Sequence, residues 1–371
     1  MTEKYRVLGL MSGTSMDGLD CLLCDIRITG NFQLEYEIID FRTYPYAAAD
    51  RKQIQSALNG DTQIIQDTSA RLGQLFAEYS LDFLKGRKID LIGSHGQTVA
   101  HNDGVSTLQI GDVTALVKNF NVPAVYDFRT ADINAGGNGA PLVPFLDWLL
   151  YRNSQLDTIT LNIGGIANIS WIPAGGTRED VLGFDTGPGM ALIDECALRF
   201  WKTPLDHDGE LSAKGNIDFQ LLDQLLAHEF IQKSPPKSTG RHEFGAEALE
   251  SIIIQSAGIK PENLLRTLVA FTAKSISVNI RKYLKFRPVE TRMILCGGGA
   301  HHPILMSDLK AFLKLSAYYK SEELGLHQDL KESLLIAVLA VARLQNIPAN
   351  MPGVTGAGQT VVLGKVKRNH E

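Results

Sequence analysis

With 371 residues the chain is long for one hydrophobic core, so two domains or lobes are expected. Its composition, 44% hydrophobic and 21% charged, is that of an ordinary soluble globular protein. Lys plus Arg total 36 against 41 for Asp plus Glu, and the resulting −5 argues against broad nucleic-acid binding, while leaving room for one anionic small ligand.

The start of the chain, residues 1–6, is polar and has no signal-peptide core, and no run reaches membrane-span length. A cytoplasmic location without a membrane partner is expected. Apolar runs at 5–10 and 19–28 flank a Gly/Ser/Thr turn and predict strand, turn, strand. Cys21 and Cys24 fall in the second run. Residues three apart on a strand face opposite ways, so this C-x-x-C predicts core packing rather than a metal or disulfide. A third strand is expected at 34–41, then helices at 47–58 and 61–84, the second with a clear apolar stripe. Next come a buried strand at 89–94, a strand at 107–110, a helix at 113–120 and a strand at 123–128. A glycine-rich stretch at 135–141 marks the centre, and a helix at 142–151 follows.

The pattern then restarts. Strands are expected at 158–163, 167–172 and 181–184, helices at 191–201, 217–227 and 261–284, a strand at 292–296, and helices at 303–313 and 331–344. Both halves begin with strand, small-residue turn and strand, which reads as an architectural duplication. Meandering strands followed by strands alternating with helices imply α/β lobes, each a mixed sheet flanked by helices, with a cleft between them. The expected first lobe is 1–133 rejoined by 347–371, and the second is 134–346.

Four motifs can carry chemistry. In MSGTSMDG, small residues let backbone N–H groups approach a phosphate, Thr14 and Ser15 add hydroxyls, and Asp17 can hold Mg²⁺. A polar hairpin turn is the plain alternative. It is not a Walker A loop, since no Gly-Lys-Ser/Thr follows. NIGGIAN repeats this logic in the second half. In GFDTGPG, Asp185 is expected at a strand end beside a helix start, suited to a general base or else to a cap. CGGGA leaves a loop without side chains, against which a flat nucleobase or ribose can lie. Of three polar clusters, HGQT and DFR are expected just after buried strands, at strand ends, and KSTGR in a Pro-rich loop able to close over a ligand.

In this order the motifs resemble the anhydro-N-acetylmuramic acid kinase family. The resemblance runs from VLGLMSGTSMDGLD through SHGQT, LQIGD, DFR, GAPLVP, NIGGIAN, FDTGPG, PPKSTGR, CGGGA and DLKE to VTGAGQTVVLG. It implies a two-lobed, actin-like (ribonuclease H-like) fold of the actin, Hsp70 and sugar-kinase superfamily, with ATP and Mg²⁺ as cofactors. It implies that the 1,6-anhydro bridge of 1,6-anhydro-N-acetylmuramic acid is opened by water while O6 is phosphorylated, in peptidoglycan recycling.

Carried over residue by residue, the resemblance makes Asp185 the base, with Glu332 as a second catalytic group. Gly13, Thr14, Ser15, Met16, Asp17, Gly18, Leu19 and Asp20 would bind ATP phosphates, with Asp17 at the metal. Asn162, Gly164, Gly165, Gly187, Gly297, Gly298 and Gly299 would hold phosphate and adenosine. His95, Gln97, Arg129 and Arg241 would bind the sugar. A homodimer is the implied assembly. Met190, His302 and Thr130 depart from the family pattern, where Asn, Asn and Arg are usual, and they leave open which anhydro sugar is preferred. A kinase for another anhydro sugar such as levoglucosan, a plain hexose kinase, and an actin- or Hsp70-type ATPase are the rivals. The short tail after Gly364 is expected to leave no room for a chaperone's substrate-binding domain.

Overall fold

Val7, Leu8 and Leu10 are all fully buried, as are Cys21, Leu22, Leu23 and Cys24. Consecutive burial of this kind means a strand covered on both faces rather than one that alternates between core and water. These runs form β1 (Tyr5–Ser12) and β2 (Gly18–Ile28), an antiparallel pair continued by β3 (Leu34–Pro45). The computed structural model describes residues 3–13, 16–58 and 60–369.

Next come α1 (Ala48–Leu58), α2 (Thr62–Leu84), β4 (Leu91–Asn102), β5 (Ser106–Ile110), α3 (Thr114–Phe120), β6 (Ala124–Tyr126), α4 (Thr130–Asn134) and α5 (Val143–Tyr151). Helix α2 begins where Asp61 caps it, its carboxylate accepting from the Ile64 N–H at 3.0 Å. The middle of the chain supplies β7 (Asp157–Ile163), β8 (Ile166–Ile172), β9 (Leu182–Pro188), α6 (Ala191–Trp201), α7 (Phe219–Leu226), α8 (Glu229–Gln232), α9 (Arg241–Phe244), α10 (Ala246–Gln255), α11 (Pro261–Tyr283), β10 (Thr291–Cys296), α12 (Pro303–Leu313) and β11 (Ala317–Lys320). It ends with α13 (Gln328–Leu344), α14 (Pro352–Thr355) and β12 (Lys365–Lys367).

Two compact units result: Met1–Leu150 with Asp329–Glu371, and Tyr151–Gln328. The first unit's sheet runs β12-β6-β4-β1-β2-β3, with β5 paired to β4. The second unit's sheet runs β11-β10-β7-β8-β9. Each sheet therefore contains the same sequence of pairings: a three-stranded antiparallel meander, then two parallel neighbours beside its first strand. The duplication suggested by the sequence is present at the level of topology, and the fold is α/β with mixed sheets flanked by helices.

The unit limits fall at 150/151 and 328/329, whereas the expected lobe limits were 133/134 and 346/347. Helices α5 and α13 account for the difference. A Cβ on Gly9 of β1 would lie 2.4 Å from Ser333 O, and one on Gly93 of β4 would lie 2.6 Å from Ile336 O. Helix α13 thus rests directly on β1 and β4, and only glycine permits that approach. Lys331 of α13 also pairs with the buried Asp147 of α5 at 2.7 Å.

Three other expectations change. HGQT is not a loop after a strand but the interior of β4, where Gly96 takes φ +74. Asp185 is not at a strand end, because pairing with β8 carries β9 on to Pro188. Helices α4, α8, α9, α10 and α14 and strands β11 and β12 lie outside the expected elements. Each is short, and the two strands have only 4 and 3 residues. All four cysteines are free and buried, and burial pushes the Cys24 thiol up to about 12.

Candidate active site

In the first unit, the β1–β2 hairpin brings Ser12 beside β4. Ser12 Oγ donates to Gln97 Oε1 at 2.6 Å and lies 2.7 Å from the Tyr46 hydroxyl. Gln97 is fully buried, and its amide nitrogen donates to Thr98 O at 3.3 Å. Its side chain thus ties β4 to the hairpin base. Met16 turns the hairpin with φ +57, its N–H donating to Gly13 O at 3.1 Å, and Asp17 is exposed. Thr14 and Ser15 lie outside the described residues.

His95, also on β4, is 4% exposed. Its Nδ1 lies 2.9 Å from Gly96 O, which places the proton on that nitrogen, so Nε2 is an acceptor. Arg129, at the start of α4, donates to Nε2 and sends Nη1 to Gly139 O at 2.9 Å. Burial, with Arg129 beside it, pushes His95 down to about 3, and burial lowers Arg129 to about 10. His95 is therefore neutral at physiological pH and Arg129 remains a cation. Glu332 on α13 is solvent-accessible, yet desolvation lifts its carboxyl above the usual range, with Asp20 adding repulsion and Arg129 and Lys331 opposing. Asp20 is raised for the same first reason, against a 2.6 Å hydrogen bond from Thr43 Oγ1.

In the second unit, Asp185 is half-buried on β9. Its N–H donates to Lys237 O at 3.1 Å, and its Oδ2 accepts from Thr239 N–H at 2.8 Å. Thr239 is held in turn by Glu243, to which its hydroxyl donates. A carboxylate gripped this way has its orientation fixed before any substrate arrives. Gly187, two residues on, has φ +133, and a Cβ there would lie 2.6 Å from Ile231 Cδ1.

The Gly164-Gly165 hairpin packs on the end of β9 and the start of α6. Met190 N–H donates to Gly164 O at 2.7 Å, and Ala191 N–H donates to Gly165 O at 3.1 Å. A Cβ on Gly165 would sit 3.3 Å from Arg241 Nε, so this exposed guanidinium lies over the hairpin. The glycines after β10 divide by role. A Cβ on Gly297 (φ +83) would meet Asn162 Oδ1 and Ile163 O at 2.6 Å, and one on Gly299 would meet Ile163 Cγ2 at 2.3 Å. Gly298 is exposed, and its Cβ would meet nothing within 4 Å. Two glycines thus let the turn press on the β7–β8 hairpin, and the third leaves open backbone.

Each unit therefore gathers its own share of the expected residues. His95, Gln97, Arg129, Glu332, Asp20 and the hairpin belong to the first. Asp185, Asn162, Arg241 and the glycines of 164–165, 187 and 297–299 belong to the second. Among the described residues, no group of three or more His, Cys, Asp or Glu is placed to hold a metal ion. A Mg²⁺ bound through phosphates needs only one or two carboxylates, which the exposed Asp17 fits.

The sequence model described as anhydro-N-acetylmuramic acid kinase matches residues 5–369. The chain belongs to the anhydro-N-acetylmuramic acid kinase family. A curated anhydro-N-acetylmuramic acid kinase of Bacillus cereus is 37% identical over 97% of this chain and 98% of its own length. One of Bacillus thuringiensis subsp. konkukian shows the same identity and coverage. Among solved structures, a ROK family glucokinase of Streptomyces griseus in complex with glucose and AMPPNP aligns over 90% of this chain and 99% of its own, at 10% identity and TM-score 0.40.

Of the three departures from the anhydro-N-acetylmuramic acid kinase pattern, Thr130 and His302 have side-chain hydrogen-bond partners, and Met190 packs against the core. Thr130 Oγ1 donates to Asp127 Oδ1 at 2.6 Å. His302 caps α12, its Nδ1 accepting from Leu305 N–H and its Nε2 lying 3.2 Å from the buried Asp206. The Met190 sulfur lies 3.1 Å from where a Gly299 Cβ would be. Sequence reasoning missed the Thr239 clamp on Asp185. KSTGR pointed to that segment, but no periodicity marks a backbone N–H aimed at a residue 54 positions away.

Proposed function

We propose that this kinase uses ATP to convert 1,6-anhydro-N-acetylmuramic acid into N-acetylmuramic acid 6-phosphate and ADP. Water forms a bond to C1 as the C1–O6 bond breaks. O6 forms a bond to the γ-phosphorus as the bond to the β,γ-bridging oxygen breaks. The water proton passes to Asp185, and the electron pair of the cleaved phosphate bond leaves with ADP. The observation that carries this reading is the clamp on Asp185, whose carboxylate is oriented by the Thr239 N–H.

The remaining roles are positioning and charge neutralisation. Residues 13–20 receive the ATP phosphates, and Asp17 would hold Mg²⁺, which would neutralise charge on those phosphates. Asn162, Gly164, Gly165 and Gly187 are assigned to phosphate, and Gly297, Gly298 and Gly299 to adenosine. Glu332, whose carboxyl is raised, contacts the reacting end of the sugar. Gln97 acts through Ser12 on the hairpin. Arg241 over the Gly164-Gly165 hairpin and Arg129 beside His95 are the anion-binding cations. A fixed, largely desolvated guanidinium favours a carboxylated sugar over levoglucosan. A cytoplasmic homodimer in cell-wall recycling completes the proposal. Among the described residues, no helix is long and apolar enough to cross a membrane.

The test is a single turnover in ¹⁸O-labelled water with mass spectrometry of the sugar. A product carrying both one phosphate and one label supports coupled hydrolysis. Phosphate without label, after control for anomeric exchange, sinks it. Size-exclusion chromatography with light scattering reads the assembly.

A further inference from the structure

We infer that Lys237 is a positioning residue for Asp185, its ammonium fixing residues 237–239 to the end of α8 so that they hold the Asp185 backbone and carboxylate. This rests on Asp185 being the base.

The residue is 6% exposed, unusual for lysine. Its Nζ donates to Phe230 O at 2.9 Å and to Ile231 O at 3.4 Å. These carbonyls belong to the single turn of α8, where Phe230 O also accepts from Lys233 N–H at 3.3 Å, so the ammonium adds a second donor at the helix terminus. The ammonium also lies 4.6 Å from the Phe230 ring centre and 5.5 Å from that of Tyr283, within cation–π range. The same residue's carbonyl accepts from Asp185 N–H, and two residues on, Thr239 N–H reaches the Asp185 carboxylate. Three consecutive residues thus connect the α8 terminus to the carboxylate, with the ammonium as the anchor.

Four charged groups act on this anchor. Lys233 follows α8 and Lys282 is on α11, and both disfavour the ammonium. Asp185 on β9 and Glu243 on α9 favour it. Burial is the largest influence and brings Lys237 down to about 8, so it is charged at neutral pH. The attraction is mutual: the charge that Asp185 favours on Lys237 also favours the ionised form of Asp185. Lys237 therefore aims the carboxylate and helps to keep it ionised.

The test uses the full chain with ATP, Mg²⁺ and 1,6-anhydro-N-acetylmuramic acid, measuring kcat and both KM values from pH 5 to 9. Lys237→Met is expected to lower kcat about 10- to 100-fold, with each KM changed less than about threefold, as a misaimed group would. The acid limb of its kcat profile is expected to move upward by about half a pH unit. Lys237→Arg, which keeps the charge, restores the limb. Lys237→Gln, which keeps a donor without the charge, serves as the second uncharged variant where Lys237→Met melts too low. An uncharged variant with wild-type kcat overturns the inference. So does one that is slow with an unmoved acid limb, because that is the signature of structural damage alone. Asp185→Asn separates the two claims. If it is inactive while the Lys237 variants are normal, only the inference fails. If it retains wild-type kcat, the reading of Asp185 as base fails and the inference falls with it.

Discussion

Arg129 donates to one nitrogen of His95 from both Nε, at 3.2 Å, and Nη2, at 3.0 Å. The imidazole serves as a fixed acceptor that sets the plane of the guanidinium, while Nη1 is tied to Gly139 O. A planar fork held this way suits a carboxylate, and a flexible ammonium does not replace it. Arg129→Lys is expected to raise KM for 1,6-anhydro-N-acetylmuramic acid about tenfold or more. KM for 1,6-anhydro-N-acetylglucosamine, which lacks the lactyl carboxylate, should change less than about twofold. Equal losses on both sugars would show that Arg129 does not read the carboxylate.

His95 also sets an acid limit on stability. In the fold it stays neutral down to about 3, and an unfolded histidine protonates near 6.5. Between those values the unfolded chain binds the extra proton, so stability present above pH 6.5 is lost as pH falls. Over pH 7.5 to 5 this one residue accounts for about 2 kcal/mol. Urea unfolding at the two pH values, with His95→Gln as the comparison, measures it. A variant as acid-sensitive as the parent would contradict the assignment.

The glycines after β10 should separate stability from nucleotide binding. Gly299→Ala forces a Cβ onto Ile163 and is expected to lower the melting temperature. Gly298→Ala meets only open space, so its melting temperature should match the parent. If adenosine lies on that backbone, KM for ATP rises while KM for the sugar does not. An unchanged KM for ATP in Gly298→Ala removes residue 298 from the nucleotide site.

Asp194, in the first turn of α6, is pushed up to about 6 chiefly by burial, with Arg241 and His302 opposing and Glu195 and Asp206 adding to it. Its folded pKa lies above the unfolded value, so the folded state carries a penalty that develops as pH rises through 6. Asp194→Asn is expected to melt higher than the parent at pH 8 and equally at pH 4. A variant that melts lower at pH 8 would mean that the carboxylate is needed to hold Arg241.

Most of the strands were legible because doubly covered strands leave unmistakable apolar runs, as 5–10 and 19–28 do. The glycine hairpins were legible for the opposite reason, since clustered glycine is costly without a purpose. Asp185 was placed at a strand end because Thr186, Gly187 and Pro188 read as a turn. Pairing of Ile166 with Pro188 and Ala167 with Gly187 overrides that local signal. HGQT failed in the same way, with β5 pairing holding Gln97 opposite Ile110 inside a strand. Arg241 joins Arg129 in the sequence reading because arginine forks suit carboxylates, and its place over the Gly164-Gly165 hairpin is a tertiary contact that no local pattern marks.

The chain route through the two units has a consequence for synthesis. Residues 151–328 are continuous and have their full set of strands once they have emerged from the ribosome. The first unit is not complete at its own 150th residue. The faces of β1 and β4 at Gly9 and Gly93 wait for α13, and the edge of β6 waits for β12. The half that begins first therefore finishes last, and until then it presents an open sheet edge and an uncovered apolar face to any chaperone or neighbouring nascent chain.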